Sequence, residues 1–346
     1  MKLFRYPVLV FDNIIKQLDP VPLLYISFCS KKTRERIKRV SFAIEKAWFG
    51  NESVGKRGYY FAVRFPSQQV LYIIFQSPPK WFKRYPETLR IGDTVYNCRY
   101  LTEKHSVYLG CVGYKKASIF FNYILDLVRA GINKIMIDLN KLINTKRFLS
   151  EPCFMNIKQI KLAGKRTDSK KLIELYDCFD KPVQETRVLS HITSFSPTSK
   201  LLQSENLAIV PSKFISIEHL LNFNGKYIVL NFSSILEDGI VTFIKHWLDG
   251  NYPNLEGAVI TSSMEREFDK DKVLNEFNTK RWNPAERAHN FIFKASFSQN
   301  KKDEFPIIKD CSNGHDLDRN DGLMATMQFE DDDCVFTFFV WHNRFP

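Results

Sequence analysis

The 346-residue chain predicts an α/β fold: three short helices, then an irregular solenoid of alternating strands and helices, closed by a C-terminal β-hairpin. Three observations predict it. Apolar residues at helical spacing fill the first fifty positions and are interrupted by Asp19-Pro20. A triplet of mostly apolar residues spaced i, i+3, i+5 recurs from residue 132 onward, with helical patterns between the copies. Near the other end, two apolar runs flank an acidic turn.

In the first fifty residues, Val10, Ile14, Ile15 and Leu18 lie at helical spacing. Asp19 then reads as an N-cap and Pro20 as the first residue of a second helix. Leu23, Leu24, Ile26 and Phe28 make that helix short and apolar. Ser30 can cap a third, in which Ile37, Val40, Ile44 and Ala47 share one face. So small a unit needs a neighbour to be stable. Its first helix is apolar on more than one side, and Leu23-Leu24 sit beside Pro20 and Pro22. Surplus apolar surface of this kind marks a partner interface. Residues 1–50 hold ten Lys/Arg against four Asp/Glu, half of the chain's net charge of +12. A concentrated positive module suits an acidic partner.

Residues 51–116 read as a connector with short strands at Tyr59 to Phe65, Val70 to Phe75, Val95 to Tyr100 and Val107 to Leu109, separated by stretches such as Ser77-Pro78-Pro79. A helix follows from Ile119 to Val128, with Gly131 as its C-cap. Next, Ile132-x-x-Ile135-x-Ile137-x-x-Asn140-x-Leu142 matches the leucine-rich-repeat template. The triplet returns as Ile157/Ile160/Leu162, Val183/Thr186/Val188, Ser204/Leu207/Ile209, Gly225/Ile228/Leu230 and Leu255/Ala258/Ile260. Helical patterns over 172–179, 214–221 and 235–248 fill the gaps. The expectation is a leucine-rich-repeat-like α/β region over 117–265, whose parallel strands offer a broad surface for another protein. An ordinary parallel α/β domain is the alternative. Residues 266–346 read as a cap, with a strand at Phe291 to Phe293 and a hairpin of Met324 to Phe329 and Val335 to Trp341 around Asp331, Asp332 and Asp333.

No apolar run reaches the ~18 residues a membrane span needs, and the start reads as no signal peptide, so a cytoplasmic or nuclear protein is expected. Seven scattered Cys, among them Cys111 and Cys311, read as small core residues. Asp316, Asp318 and Asn320 mimic a calcium loop, but Asp321 stands where Gly is needed and Met327 where Glu is needed. No nucleotide, hydrolase or metalloprotease motif occurs, and His246 beside Trp247 reads as structural. No catalysis, cofactor or metal is expected. The sequence pI of about 9.2 raises nucleic-acid binding. Glu35 within the basic run 31–39 makes that run a solvated helix face rather than a reader of bases.

Two segments resemble known modules. Pro7-Val8-Leu9-Val10, Ile14-Ile15, Leu18-Asp19-Pro20, Leu23-Leu24 and Cys29-Ser30-Lys31-Lys32 resemble an F-box in order and spacing. The opening is wholly apolar where the family often carries an acidic residue. Within 213–262, His219-Leu220-Leu221, Lys226-Tyr227-Ile228-Val229-Leu230, Lys245-His246-Trp247-Leu248 and Asn251-Tyr252-Pro253-Asn254-Leu255-Glu256 resemble the type 2 F-box-associated region. Arg319-x-Asp321-Gly322 before a hairpin ending in Val340-Trp341 resembles the close of the same family. The resemblance implies a substrate-recognition subunit of a Skp–cullin–F-box ubiquitin ligase. Residues 1–50 would be the F-box, touching the acidic Skp-type adaptor, and through it cullin, by Pro7, Val8, Leu9, Ile14, Ile15, Leu18, Pro20, Leu23, Leu24, Cys29, Ser30 and Lys31. The repeats would hold a protein target. The alternative is a cullin-independent interaction scaffold with an F-box-like helical module.

Overall fold

The computed structural model describes residues 7–40, 44–51, 58–65, 67, 69–76, 87–101, 106–110, 114–142, 144–262, 266–295, 308–330 and 333–345. Ser77, Pro78, Pro79, Cys111, Asp331 and Asp332, invoked above, lie outside them. The chain forms two compact units, Met1–Lys158 and Gln159–Pro346. The sequence reading had placed boundaries at 50, 116 and 265.

The first unit opens with helices α1 (Val8–Gln17), α2 (Pro20–Phe28) and α3 (Lys31–Arg39). Strands follow: β1 (Lys46–Gly50), β2 (Tyr59–Arg64), β3 (Val70–Phe75), β4 (Glu87–Ile91), β5 (Thr94–Leu101) and β6 (Ser106–Leu109). Helix α4 (Tyr114–Val128), strand β7 (Lys134–Ile137) and helix α5 (Thr145–Leu149) complete it. The strands line up as β7-β1-β2-β3-β6-β5-β4, parallel only at β7/β1 and β3/β6. The segment read as a connector is therefore most of a sheet. One sheet face meets α4 through a dense aromatic set: Phe49, Phe61 and Phe75 each stand about 5 Å from Phe121, centroid to centroid. All four rings are fully buried, each contributing roughly 1.5–3 kcal/mol. The expected third helix stops at Arg39 and Ala47 lies in β1, because Ala47-Trp48-Phe49 pair with β2 and bury against this core. Arg129, not Gly131, takes the left-handed residue after α4, at φ 52°.

The second unit contains β8 (Gln159–Leu162), β9 (Arg166–Thr167), α6 (Ser169–Asp177), β10 (Glu185–Val188), β11 (His191–Ile192), β12 (Asn206–Ile209), α7 (Ile217–Leu221) and β13 (Tyr227–Ser233). Then come α8 (Glu237–Leu248), β14 (Gly257–Ser262), α9 (Lys270–Leu274), β15 (Lys280–Arg281), β16 (Asn290–Ile292), β17 (Ile308–Asp310), β18 (His315–Asp318), β19 (Met324–Glu330) and β20 (Val335–Trp341). Strands β8, β10, β12, β13 and β14 form one parallel ladder. Each begins two residues after the start of a predicted triplet. Gln159, Glu185, Asn206, Tyr227 and Gly257 therefore stand in one row across the sheet. The next row, Ile160, Thr186, Leu207, Ile228 and Ala258, is at most 1% exposed. Gly225 opens the β13 copy as glycine for a steric reason: a Cβ there would stand 2.2 Å from the Ser204 carbonyl oxygen. Asn140, which completed the repeat template in the first unit, is exposed at the middle of a 3-10 turn, Leu139–Lys141.

The predicted terminal hairpin is β19–β20. It continues the ladder edgewise, with β20 antiparallel to β14 and β18 and β15 beyond β19. A two-stranded ribbon, β16–β17, covers one face of this end of the sheet, burying Phe291, Phe293 and Cys311 with Tyr227, Val259, Phe339 and Trp341. Beneath it, the fully buried Arg287 guanidinium clamps Asp316 through Nε and Nη2. Thr326 donates to the same carboxylate at 2.6 Å, and Trp341 Nε1 donates to Thr326 at 2.8 Å. The first carboxylate of the calcium-like stretch is thus a partner of Arg287, and Asp318 pairs with Lys280. Replacing Asp316 with Ala leaves Arg287 charged and buried without compensation, which costs about 3–5 kcal/mol. Urea unfolding of this variant should show that loss, and a loss below about 1 kcal/mol would contradict the role given to the pair.

Candidate functional site

Helix α1 leaves the apolar residues of its first turn exposed and buries others after it. Phe11 and Ile15 are buried, and the guanidinium of Arg36 lies 5.3 Å from the Phe11 ring centroid. Val8, Leu9 and Val10 face outward, with Leu9 77% and Val8 62% exposed. Pro7, at the N-cap, is exposed as well, and Ile14 and Leu18 are half-buried. Helix α2 behaves differently. It is apolar nearly all round and packs on α3, β3 and β4, with Leu23 and Leu24 only 2% exposed. The expectation that this Leu pair is surplus surface is corrected here, because β3 and β4 supply the wall that the first fifty residues lack. Pro20 starts α2, as predicted, but the Asp19 carboxylate makes no cap and instead accepts from Gln69 Nε2 at 2.9 Å.

Helix α3 is capped by Ser30, whose Oγ accepts from Thr33 N–H. Cys29 and Lys31 are exposed beside it. The basic run is partly spent inside the unit. Arg34 and Lys38 both bind Asp126 of α4, the latter at 2.8 Å, and Arg34 lies over the Tyr123 ring at 4.4 Å. The Tyr123 hydroxyl donates to the Ser27 carbonyl at 3.0 Å, and its ring stacks on Phe28. Tyr123 and Asp126 fall on one helix face by their i, i+3 spacing. This tie holds α2 and α3 down while α1 keeps its first turn bare.

In the second unit, most of the residues that carried the second resemblance are found holding the fold. Trp247 is fully buried under Arg319, whose guanidinium lies 4.8 Å from the indole centroid and donates to the carbonyls of Trp247 and Asn251. Arg319 also binds Asp321, which hydrogen bonds from Arg319 and Leu323 hold down at about 2. Phe338 of β20 packs on Trp247 from the hairpin side. His246 meets the Asn251 side chain and the Tyr252 ring. The Tyr227 hydroxyl donates to Glu256, and burial followed by this carboxylate raises its pKa. Lys226 pairs with Glu205 at 2.7 Å. His219 joins Ser216, at the start of α7, to the Phe195 carbonyl.

A family model described as "F-box associated" matches residues 197–260. The match covers β12 through β14, the part of the ladder just described. The chain is also similar to two uncharacterized proteins of Caenorhabditis elegans. It is 23% identical to F59B2.9 over 368 aligned positions, covering 99% of this chain and 80% of that protein. It is 26% identical to F59B2.8 over 153 residues, 43% of this chain and 33% of that one. No solved structure gives a significant match. The matched family is an interaction module, not a catalytic one.

Other chemistry is sparse. Among the described residues, no group of three or more His, Cys, Asp or Glu could hold a metal, and no helix is long and apolar enough to cross a membrane. A cleft of about 160 Å³ lined by Glu256, Phe291, Lys294, Trp341 and His342 lies well below the ~300 Å³ at which small-molecule sites begin.

The Asp126 tie makes a pH-dependent prediction. Burial pushes this carboxyl up, but hydrogen bonds from Lys38 and Arg34 outweigh burial and hold it below its usual value. Its stabilising effect is therefore complete above the usual carboxylate range and fades as pH falls through the depressed folded value. Asp126→Asn should cost about 0.5–1 kcal/mol at neutral pH, with the difference from wild type vanishing in acid. Thermal unfolding of both chains across pH checks it, and an equal difference at all pH values contradicts it.

Proposed function

We propose that the chain is the substrate-recognition subunit of a Skp–cullin–F-box ubiquitin ligase. The N-terminal helices serve as the F-box and meet the Skp-type adaptor, and the ladder unit holds a protein target. The chemistry of transfer belongs to other subunits, and this chain supplies proximity. The observation that carries the reading is the bare first turn of α1, Val8, Leu9 and Val10, ahead of Phe11 and Ile15, which seal the helix against its own unit. Exposed apolar side chains clustered on one short helix are anchors for a pocket on another protein. Exposed Pro7, Cys29 and Lys31, with half-buried Ile14 and Leu18, are the remaining candidates for the same contact. Leu23 and Leu24 support it from inside. The match at 197–260 supports an F-box-associated role for the second unit.

The inward turn of Leu23 and Leu24 favours a second reading, an interaction scaffold that folds and binds a partner without a cullin. Co-purification separates the two. The wild-type chain should bring down a Skp-type adaptor, Leu9→Asp should lose it by more than about tenfold, and unfolding should be unchanged because Leu9 touches little of its own chain. A wild-type chain that ignores the adaptor leaves the scaffold reading standing.

A further inference from the structure

The sheet of the first unit has a second face, and that face is aromatic. Helices α4 and α5 close the other one, where Phe121 and Phe148 meet Phe49. By strand alternation the face away from them takes Trp48, Tyr60, Tyr72 and Tyr108, one from each of the adjacent strands β1, β2, β3 and β6. The four are staggered in two rows. Trp48, Ala62 and Tyr72 stand level in one, and Gly50, Tyr60, Ile74 and Tyr108 in the next. Small residues make room for the rings. Trp48 meets Tyr72 edge to face at 6.3 Å across Ala62, and the Tyr60 ring lies over Gly50, where a Cβ would enter it. Trp48 and Tyr60 form the floor, while Tyr72 and Tyr108 are half-buried. A sheet of mostly antiparallel strands with one face packed on helices ordinarily turns polar residues to the other. This one turns aromatic rings there.

The charge on these strands has one sign. Strands β1, β2, β3, β6 and β7 contain Lys46, Arg64 and Lys134 and no Asp or Glu. Lys46 and Arg64 stand directly opposite each other at one end of the aromatic rows, an arrangement in which like charges repel. Among the described residues neither has a carboxylate partner. Arg64 lies over the Trp48 ring at 5.7 Å, and its Nε is buried without an acceptor. The flanking acids are engaged elsewhere. Glu45 precedes Lys46 but takes the alternate register and has a partner of its own. Asp138, past the far end of β7, accepts from Asn140 N–H at 3.0 Å.

We propose that this face binds single-stranded nucleic acid. Bases stack on the staggered rings, and phosphates relieve the repulsion between Lys46 and Arg64. Sheets that hold single strands do so through aromatic side chains on neighbouring strands. Such stacking tolerates any sequence because every base has a π-face. The rings set the surface apart from one that takes an acidic peptide, whose carboxylates would use the two cations and leave the rings idle. The site lies in the first unit, apart from the ladder, and it needs no adaptor.

The test is fluorescence anisotropy of the full chain with fluorescein-labelled ten-nucleotide oligouridylate and oligothymidylate. The wild type should bind both saturably, with affinity falling steeply as salt rises. Tyr72→Leu should weaken binding at least about fivefold, and Tyr72→Phe, which keeps the ring, should bind as wild type does. Lys46→Gln with Arg64→Gln should weaken binding and flatten its salt dependence. Lys165→Gln with Lys213→Gln, an equal loss of charge at exposed positions of the other unit, should leave binding intact. Each comparison uses chains with wild-type circular dichroism and melting. The proposal is overturned if the wild type does not bind, if Tyr72→Leu binds as tightly as wild type, if a duplex of the same length binds as well as the single strand, or if polyglutamate displaces the oligonucleotide at equal concentration of charge.

Discussion

The shared register of five parallel strands is the constraint on which the second unit depends. One residue from each strand, from Gln159 to Gly257, stands in a single row. A slip of one residue in any strand would send its buried row to the opposite face. Spacings between copies vary, so the connections absorb the irregularity and the strands do not. This is why connecting helices as different in length as five-residue α7 and twelve-residue α8 are tolerated between the strands. The edge problem of such a sheet is met at β14 by the antiparallel hairpin β19–β20.

The residues that carried the F-box-associated resemblance serve this constraint. Trp247, Arg319, Tyr227 and Glu256 tie α8, the turn before β19 and the ladder together.

Much of this was legible in the sequence because parallel strands buried on one face repeat a short pattern. All six triplets mark strands, since positions four and six of each point to the same buried side. The three N-terminal helices were legible from Asp19-Pro20 and Ser30. Strand β1 was not, because Ala47 continues the helical spacing of Ile37, Val40 and Ile44, and a short apolar run fits either period. Strand β4 was hidden by its polar composition, although Gly92-Asp93 joins it to β5 as a two-residue hairpin, with Gly92 at φ 56°. The burial of Leu23 and Leu24 could not be read locally, because their wall comes from strands some fifty residues later. Arg287 looked like any surface arginine, and only the fold brings it to Asp316.

The central claim is that α1 keeps an apolar first turn for another protein while Phe11 and Ile15 seal the helix against its own unit. Hydrogen exchange of the full chain, alone and with a purified Skp-type adaptor, tests it most directly. The account predicts that amides of Val8–Gln17 exchange early in the free chain and slow markedly when the adaptor is added, while β12 to β14 are protected in both states. Unchanged exchange over α1 in the presence of a saturating adaptor would contradict it.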